Sequence, residues 1–163
     1  MSIFSWLHQL IKSSDNNTNL EVNQQTFEVT EREAMILDNL DFLGAIESHQ
    51  QWKSRLSNYL NDISTETLNH EDVCRDDLCV LGKWINNTGA QKYGQSPTFS
   101  ELKMAHASFH LAAGSIIRLK DQGQESKADE LLHRGEYPKQ SIKVQGLIST
   151  LYMELKEEGT EGI

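Results

Sequence analysis

The chain has 163 residues, with 15 basic side chains against 24 acidic ones and a net charge of −9, enough length for one hydrophobic core and too little for two. That acidity repels a phosphate backbone and offers no basic stripe for counterion release, which argues against a nucleic-acid partner. Only Cys74 and Cys79 are present, too few for a secreted disulfide scaffold and compatible with a reducing cytoplasm.

Few prolines and little β-branched alternation predict an all-α chain. The opening "MSIFSWLHQLIKSS" is too short to span a bilayer, is interrupted by Ser5, His8 and Gln9, and lacks the basic region of a signal peptide. It predicts an amphipathic helix over residues 2–12, within an N-terminal segment 1–12. Its apolar face of Ile3, Phe4, Trp6, Leu7, Leu10 and Ile11 suits a partner's groove or a return onto the folded domain. Lys12 alone is basic there, so contact with a membrane surface is the weaker reading. Residues 13–29, rich in Ser, Asn, Asp and Gln, predict a flexible polar linker. A helical domain is expected over residues 30–158, with a tail at 159–163.

Within that domain Leu37, Leu40, Ala45, Ile46, His49, Trp52, Leu56, Tyr59, Leu60 and Ile63 recur at steps of mostly three and four. They predict one face of a helix of about eight turns, the longest of the chain. "STETLNHEDVCRDD" breaks the period, and a short helix is expected from Cys79 to "NNTG", with Gly89 as its C-cap. A third helix is expected to reach Asp121, capped by Ser96 or Thr98, with Pro97 in its first turn and Glu101 closing a capping box with Thr98. Its inward stripe is Leu102, His106, Phe109, His110, Ala113, Ile116 and Ile117. "ESKADELLHRG" forms a shorter segment, and a last helix turns Ile142, Val144, Leu147, Ile148, Leu151 and Leu155 inward. Four core helices with short connections predict a four-helix bundle.

Chemistry emerges when the polar residues are placed on these faces. His49 lies on an apolar stripe between Ile46 and Trp52, where an imidazole needs a partner. His106 and His110 are four apart and share a helix face. Cys79 stands at an expected helix N-terminus, which favours a thiolate. Each has a plainer reading alone: a hydrogen-bonded core histidine, an incidental pair, a buried thiol acting as a small hydrophobe. Together, three imidazoles and one thiolate from three helices match tetrahedral zinc in number and kind. Gly82 would then allow close approach to a neighbouring helix and Trp84 would shield the site, with Trp52 beside it. His8, His70 and His133 read as surface residues.

"AIESHQQWKSRL", "LCVLGKW" and "HASFH" resemble, in order, the motifs of the chemoreceptor zinc-binding domain, over roughly residues 36–155. The resemblance implies a dimeric four-helix bundle of bacterial origin that binds zinc through His49, Cys79, His106 and His110. It also implies a cytoplasmic, non-catalytic regulatory module responding to zinc or, through the zinc-bound Cys79, to oxidants. Such modules act with chemoreceptors or diguanylate cyclases, in chemotaxis or cyclic-di-GMP signalling. Cys74 has no place in the motif and stands as a second candidate redox thiol. No receptor or cyclase domain is legible in these residues, so a separate signalling protein is the expected partner.

Two other readings remain open. A zinc hydrolase would keep an open coordination position and a nearby carboxylate base, and an oxygen-handling iron bundle needs inward Glu-x-x-His pairs. Neither pattern is found on the stripes. A purely structural zinc site in an interaction domain differs from the sensory module only in whether metal or thiol state alters partner binding.

Overall fold

The computed structural model describes residues 35–160. The expected N-terminal helix and linker, and residues 161–163, lie outside the described residues. The described part begins with a small hairpin, β1 (Ile36–Leu37) and β2 (Leu40–Asp41), paired antiparallel with Leu37 opposite Leu40. Asp38 and Asn39 form its turn at φ 49° and 64°. Two successive positive φ values belong to the tight hairpin turn whose twist suits paired strands, and Asp and Asn tolerate that region better than other side chains. The expected helix through Leu37 and Leu40 is therefore corrected. Helix α1 (Phe42–Leu60) starts only after Asp41, whose carboxylate accepts from the Gly44 amide at 2.8 Å. It ends before Ile63, which is 70% exposed rather than inward.

Helix α2 (His70–Cys74) is a single turn capped by Asn69, where the sequence suggested only a break. Helix α3 (Val80–Trp84), a π-helical turn at Ile85–Gly89 and α4 (Ala90–Tyr93) follow in one helical run. Gly89 keeps helical angles, φ −61° and ψ −47°, so it is not the expected C-cap. Helix α5 (Pro97–Asp121) has Ser96 as its cap, accepting from the Phe99 amide at 3.2 Å. The Thr98 hydroxyl instead donates to Glu154 at 2.8 Å, which ties α5 to the last helix. Helix α6 (Glu125–Arg134) and helix α7 (Glu136–Thr160) are separated by the extended Gly135. At 25 residues each, α5 and α7 exceed the 19 of α1, contrary to the expected ranking.

The described residues form an all-α bundle in which α5 packs against α1, α2, α6 and α7. All seven residues of the expected α5 stripe are buried. On α7, Val144, Ile148, Leu151 and Leu155 are buried, but Ile142 is 74% exposed. Two residues before Val144 means about 200° around the helix, on the opposite face. No helix of the described residues is long and apolar enough to cross a membrane.

Candidate metal centre

His49 comes from the middle of α1, His106 and His110 from adjacent turns of α5, and Cys79 from the N-cap of α3. One ligand atom from each lies within 4.8 Å of all the others. The three histidines are at most 3% exposed. Their rings face one another, with centroids 4.6 Å apart for His106 and His110 and 5.3 Å for His49 and His106. The Cys79 Sγ approaches His106 Nε2 to 3.3 Å.

The outer ring nitrogens show which nitrogen each histidine keeps for the centre. His49 Nδ1 donates to the Ala45 carbonyl at 2.6 Å, and His110 Nδ1 donates to the Val73 carbonyl at 2.8 Å. A carbonyl only accepts, so the proton is on Nδ1 and the Nε2 lone pair is left inward. His106 turns Nε2 toward Cys79 and holds Nδ1 3.8 Å from an Asp76 carboxylate oxygen. His49 Nε2, His110 Nε2 and His106 Nδ1 are buried without a hydrogen-bond partner among the described residues. Orphaned buried polar atoms cost roughly 1–3 kcal/mol each, and an ion at the centre would satisfy two of these, the Nε2 atoms of His49 and His110, while His106 Nδ1 faces Asp76.

Burial pulls all three imidazoles below their ordinary range, His106 to about 2, with repulsion from His110 and His49 adding to its shift. The rings are therefore neutral, the state in which imidazole binds metal. Three imidazoles and a sulfur in a closed, buried cluster fit zinc, and the donor set and the orphaned nitrogens agree on this. The expectation that a helix N-terminus makes Cys79 a thiolate is only half met. Burial pushes its thiol up, while the backbone amides of Gly82 and Leu81 pull the other way. The Gly82 amide donates to Sγ at 3.2 Å. A bound cation would reverse the balance, since a coordinating thiol is deprotonated by the metal's own charge.

The expected supporting residues make the following contacts. A Cβ on Gly82 would stand 1.6 Å from the Asp76 carbonyl oxygen, so this glycine lets the 76–77 backbone fold onto the start of α3, not a neighbouring helix. Trp84 packs edge-on to Phe42 and Phe99 and donates from Nε1 to the Asp38 carbonyl at 3.1 Å, anchoring α3 to the hairpin. Trp52 is half-buried under the Arg55 guanidinium, 3.9 Å from its ring centre. The aromatic that covers the cluster is Phe109, fully buried and 5.1 Å from the His49 ring and 5.4 Å from that of His110. Its i+3 position after His106 was the available signal.

The sequence reading also missed α2 as part of the site. Gly114 on α5 forms a notch in which a Cβ would lie 2.2 Å from Cys74 Sγ and 2.9 Å from the His70 carbonyl. That contact seats α2 so that the Val73 carbonyl reaches His110. Cys74 and Cys79 are both free thiols. His133 is exposed and His70 half-buried.

Residues 49–117 match the family model of the chemoreceptor zinc-binding domain. The match is narrower than the motif-based span of 36–155, but it contains all four clustered residues. No curated protein and no solved structure matches the chain.

Proposed function

We propose, from the match of residues 49–117 to the family model of the chemoreceptor zinc-binding domain, that the chain is a zinc-binding sensory module that signals by altering contact with a partner protein. His49, Cys79, His106 and His110 hold the ion. The observation that carries this reading is the convergence of four soft or borderline donors within 4.8 Å, with the inward Nε2 of His49 and of His110 left unpartnered among the described residues. Zinc supplies a fixed positive charge that joins the four ligands and adds no redox chemistry of its own.

The chain's residues do the rest. The Ala45 and Val73 carbonyls fix the tautomers of His49 and His110, and the Asp76 carboxylate faces the outer nitrogen of His106. Phe109 and the bundle core keep water away. Four protein donors close the coordination sphere, which supports sensing or structure over hydrolysis, since catalytic zinc keeps one position open. The physiological input is zinc itself or an oxidant acting at Cys79, the donor most open to oxidation. Cys74 is a second redox candidate. We further propose a cytoplasmic bacterial homodimer that acts with a chemoreceptor array component or a diguanylate cyclase.

Metal analysis of purged and zinc-reloaded protein tests the core of this. One zinc per chain is expected, with His106→Ala and His110→Ala each losing most of the affinity because a closed site loses one of four bonds. Variants that hold zinc as tightly as the parent would reduce the histidine pair to core packing.

A further inference from the structure

The helical run from Val80 to Tyr93 is held at two separate places by one residue of the hairpin. Asp38 accepts from Trp84 Nε1 on its backbone carbonyl at 3.1 Å, just before the π-helical turn. Beyond that turn its carboxylate takes hydrogen bonds from Lys92 Nζ and the Tyr93 hydroxyl. Its side chain is 17% exposed, and the two donors hold its carboxyl below the usual carboxylate range.

Apart from the packing of Met35, Leu37 and Leu40 on the core, the hairpin has few contacts of its own. Its strands are two residues each, far below what stands alone in water. Besides the strand pairing, the Phe42 amide bonds to the Met35 carbonyl at 3.1 Å, and Leu40 is fully buried. The opposite end of the helical run begins at Cys79, whose sulfur caps it by accepting from Gly82. Trp84 follows five residues later and is locked between Phe42 and Phe99.

We infer that Asp38 couples the Cys79 end of the metal centre to the hairpin, so that occupancy of the centre sets the order of residues 35–41, through which the chain leads back to its first 34 residues. This rests on the reading of Cys79 as a zinc ligand. With the sulfur tethered, the run from Val80 to Tyr93 is fixed at its start and presents Trp84, Lys92 and Tyr93 to Asp38 in one arrangement. With the sulfur released, the first turn loses its anchor, and displacement of the run pulls on all three contacts.

Hydrogen exchange on the full chain, metal-free and zinc-loaded, tests the coupling in the parent and in Asp38→Asn. Asn tolerates the positive φ and keeps the backbone carbonyl that takes the Trp84 bond, so the turn survives, while the charge facing Lys92 and one of the two acceptor oxygens are lost. In the parent, zinc should slow exchange several-fold in both 80–93 and 35–41. In Asp38→Asn, zinc should still bind and still protect 80–93, while the protection that zinc gives 35–41 falls well below the parent's. Zinc uptake by the parent with no response in 35–41, or a full hairpin response in the variant, would overturn the coupling alone. Failure of the parent to take up zinc would overturn the zinc reading and the coupling together.

Discussion

Gly114 shows how much of the site rests on residues that bind nothing. Its missing Cβ seats Cys74 Sγ and, with it, the Val73 carbonyl that orients His110. In Gly114→Ala the methyl group must push α2 outward, because one of its closest neighbours is backbone rather than a yielding side-chain tip. Loss of an outer-shell partner of this kind costs roughly 10- to 100-fold in metal affinity. Competition with a zinc chelator should find that loss, and an unchanged affinity would show that the Val73 carbonyl is dispensable. The histidine pair was legible because i and i+4 share a helix face whatever surrounds them. The Val73 carbonyl was not, since every residue has one and only the packed fold selects which is used.

The three buried imidazoles also set a pH dependence for the metal-free protein. Burial lowers each folded-state pKa below the ordinary 6.5, so the unfolded chain binds more protons than the folded one as pH falls. Stability is then full above about pH 6.5 and declines below it, each ring adding a slope that approaches about 1.4 kcal/mol per pH unit. The melting temperature of the metal-free protein should drop between pH 7.5 and 5.5. A flat midpoint across that window would mean that the rings are not buried and neutral.

Among the elements, the run from Val80 to Tyr93 starts on a cap that is also a candidate metal ligand. Cys79 caps it, and a π-helical turn interrupts it at Ile85–Gly89; such turns are often found at functional sites. Oxidation of the sulfur to sulfenic acid should weaken both its zinc bond and its cap on the Gly82 amide. Mild oxidant should therefore speed hydrogen exchange across residues 77–89 in zinc-loaded parent and leave Cys79→Ser unaffected. Unchanged protection in a parent shown by mass to be oxidised would leave Cys79 a structural ligand only.

The long helices were legible from their three-and-four spacing, and Pro97 and Ser96 marked the start of α5 correctly. The hairpin was not, because Leu37 and Leu40 fit a helical period as well as a strand pair, and the turn depends on Asp38 and Asn39 adopting positive φ. The helical run overshot Gly89 because that glycine serves packing: a Cβ there would lie 2.8 Å from both the Trp84 and Phe99 rings.

At the scale of the whole molecule, the apolar stripe of α1 leaves little for a dimer to use, since Phe42, Ala45, His49 and Leu56 are buried within the bundle itself. The proposed dimer would need an exposed face, and we place it on α5, where Met104 and Leu111 are 62% and 57% exposed. Seven residues apart, they lie on one helix face. Sedimentation at micromolar concentration should give a dimer for the full chain and a monomer for Met104→Lys with Leu111→Lys. A parent that sediments as a monomer would reject the dimer, and a doubly substituted chain that stays dimeric would move the interface elsewhere.

The central claim is that one ion is held by three imidazoles and one thiolate, and X-ray absorption at the zinc edge reads that donor set directly. Zinc-loaded parent should show three nitrogen donors at roughly 2.0–2.1 Å and one sulfur at roughly 2.3 Å. Cys79→Ser should lose the sulfur shell, while Cys74→Ser keeps it. A parent spectrum without sulfur, or a sulfur shell that survives in Cys79→Ser, would contradict the assignment.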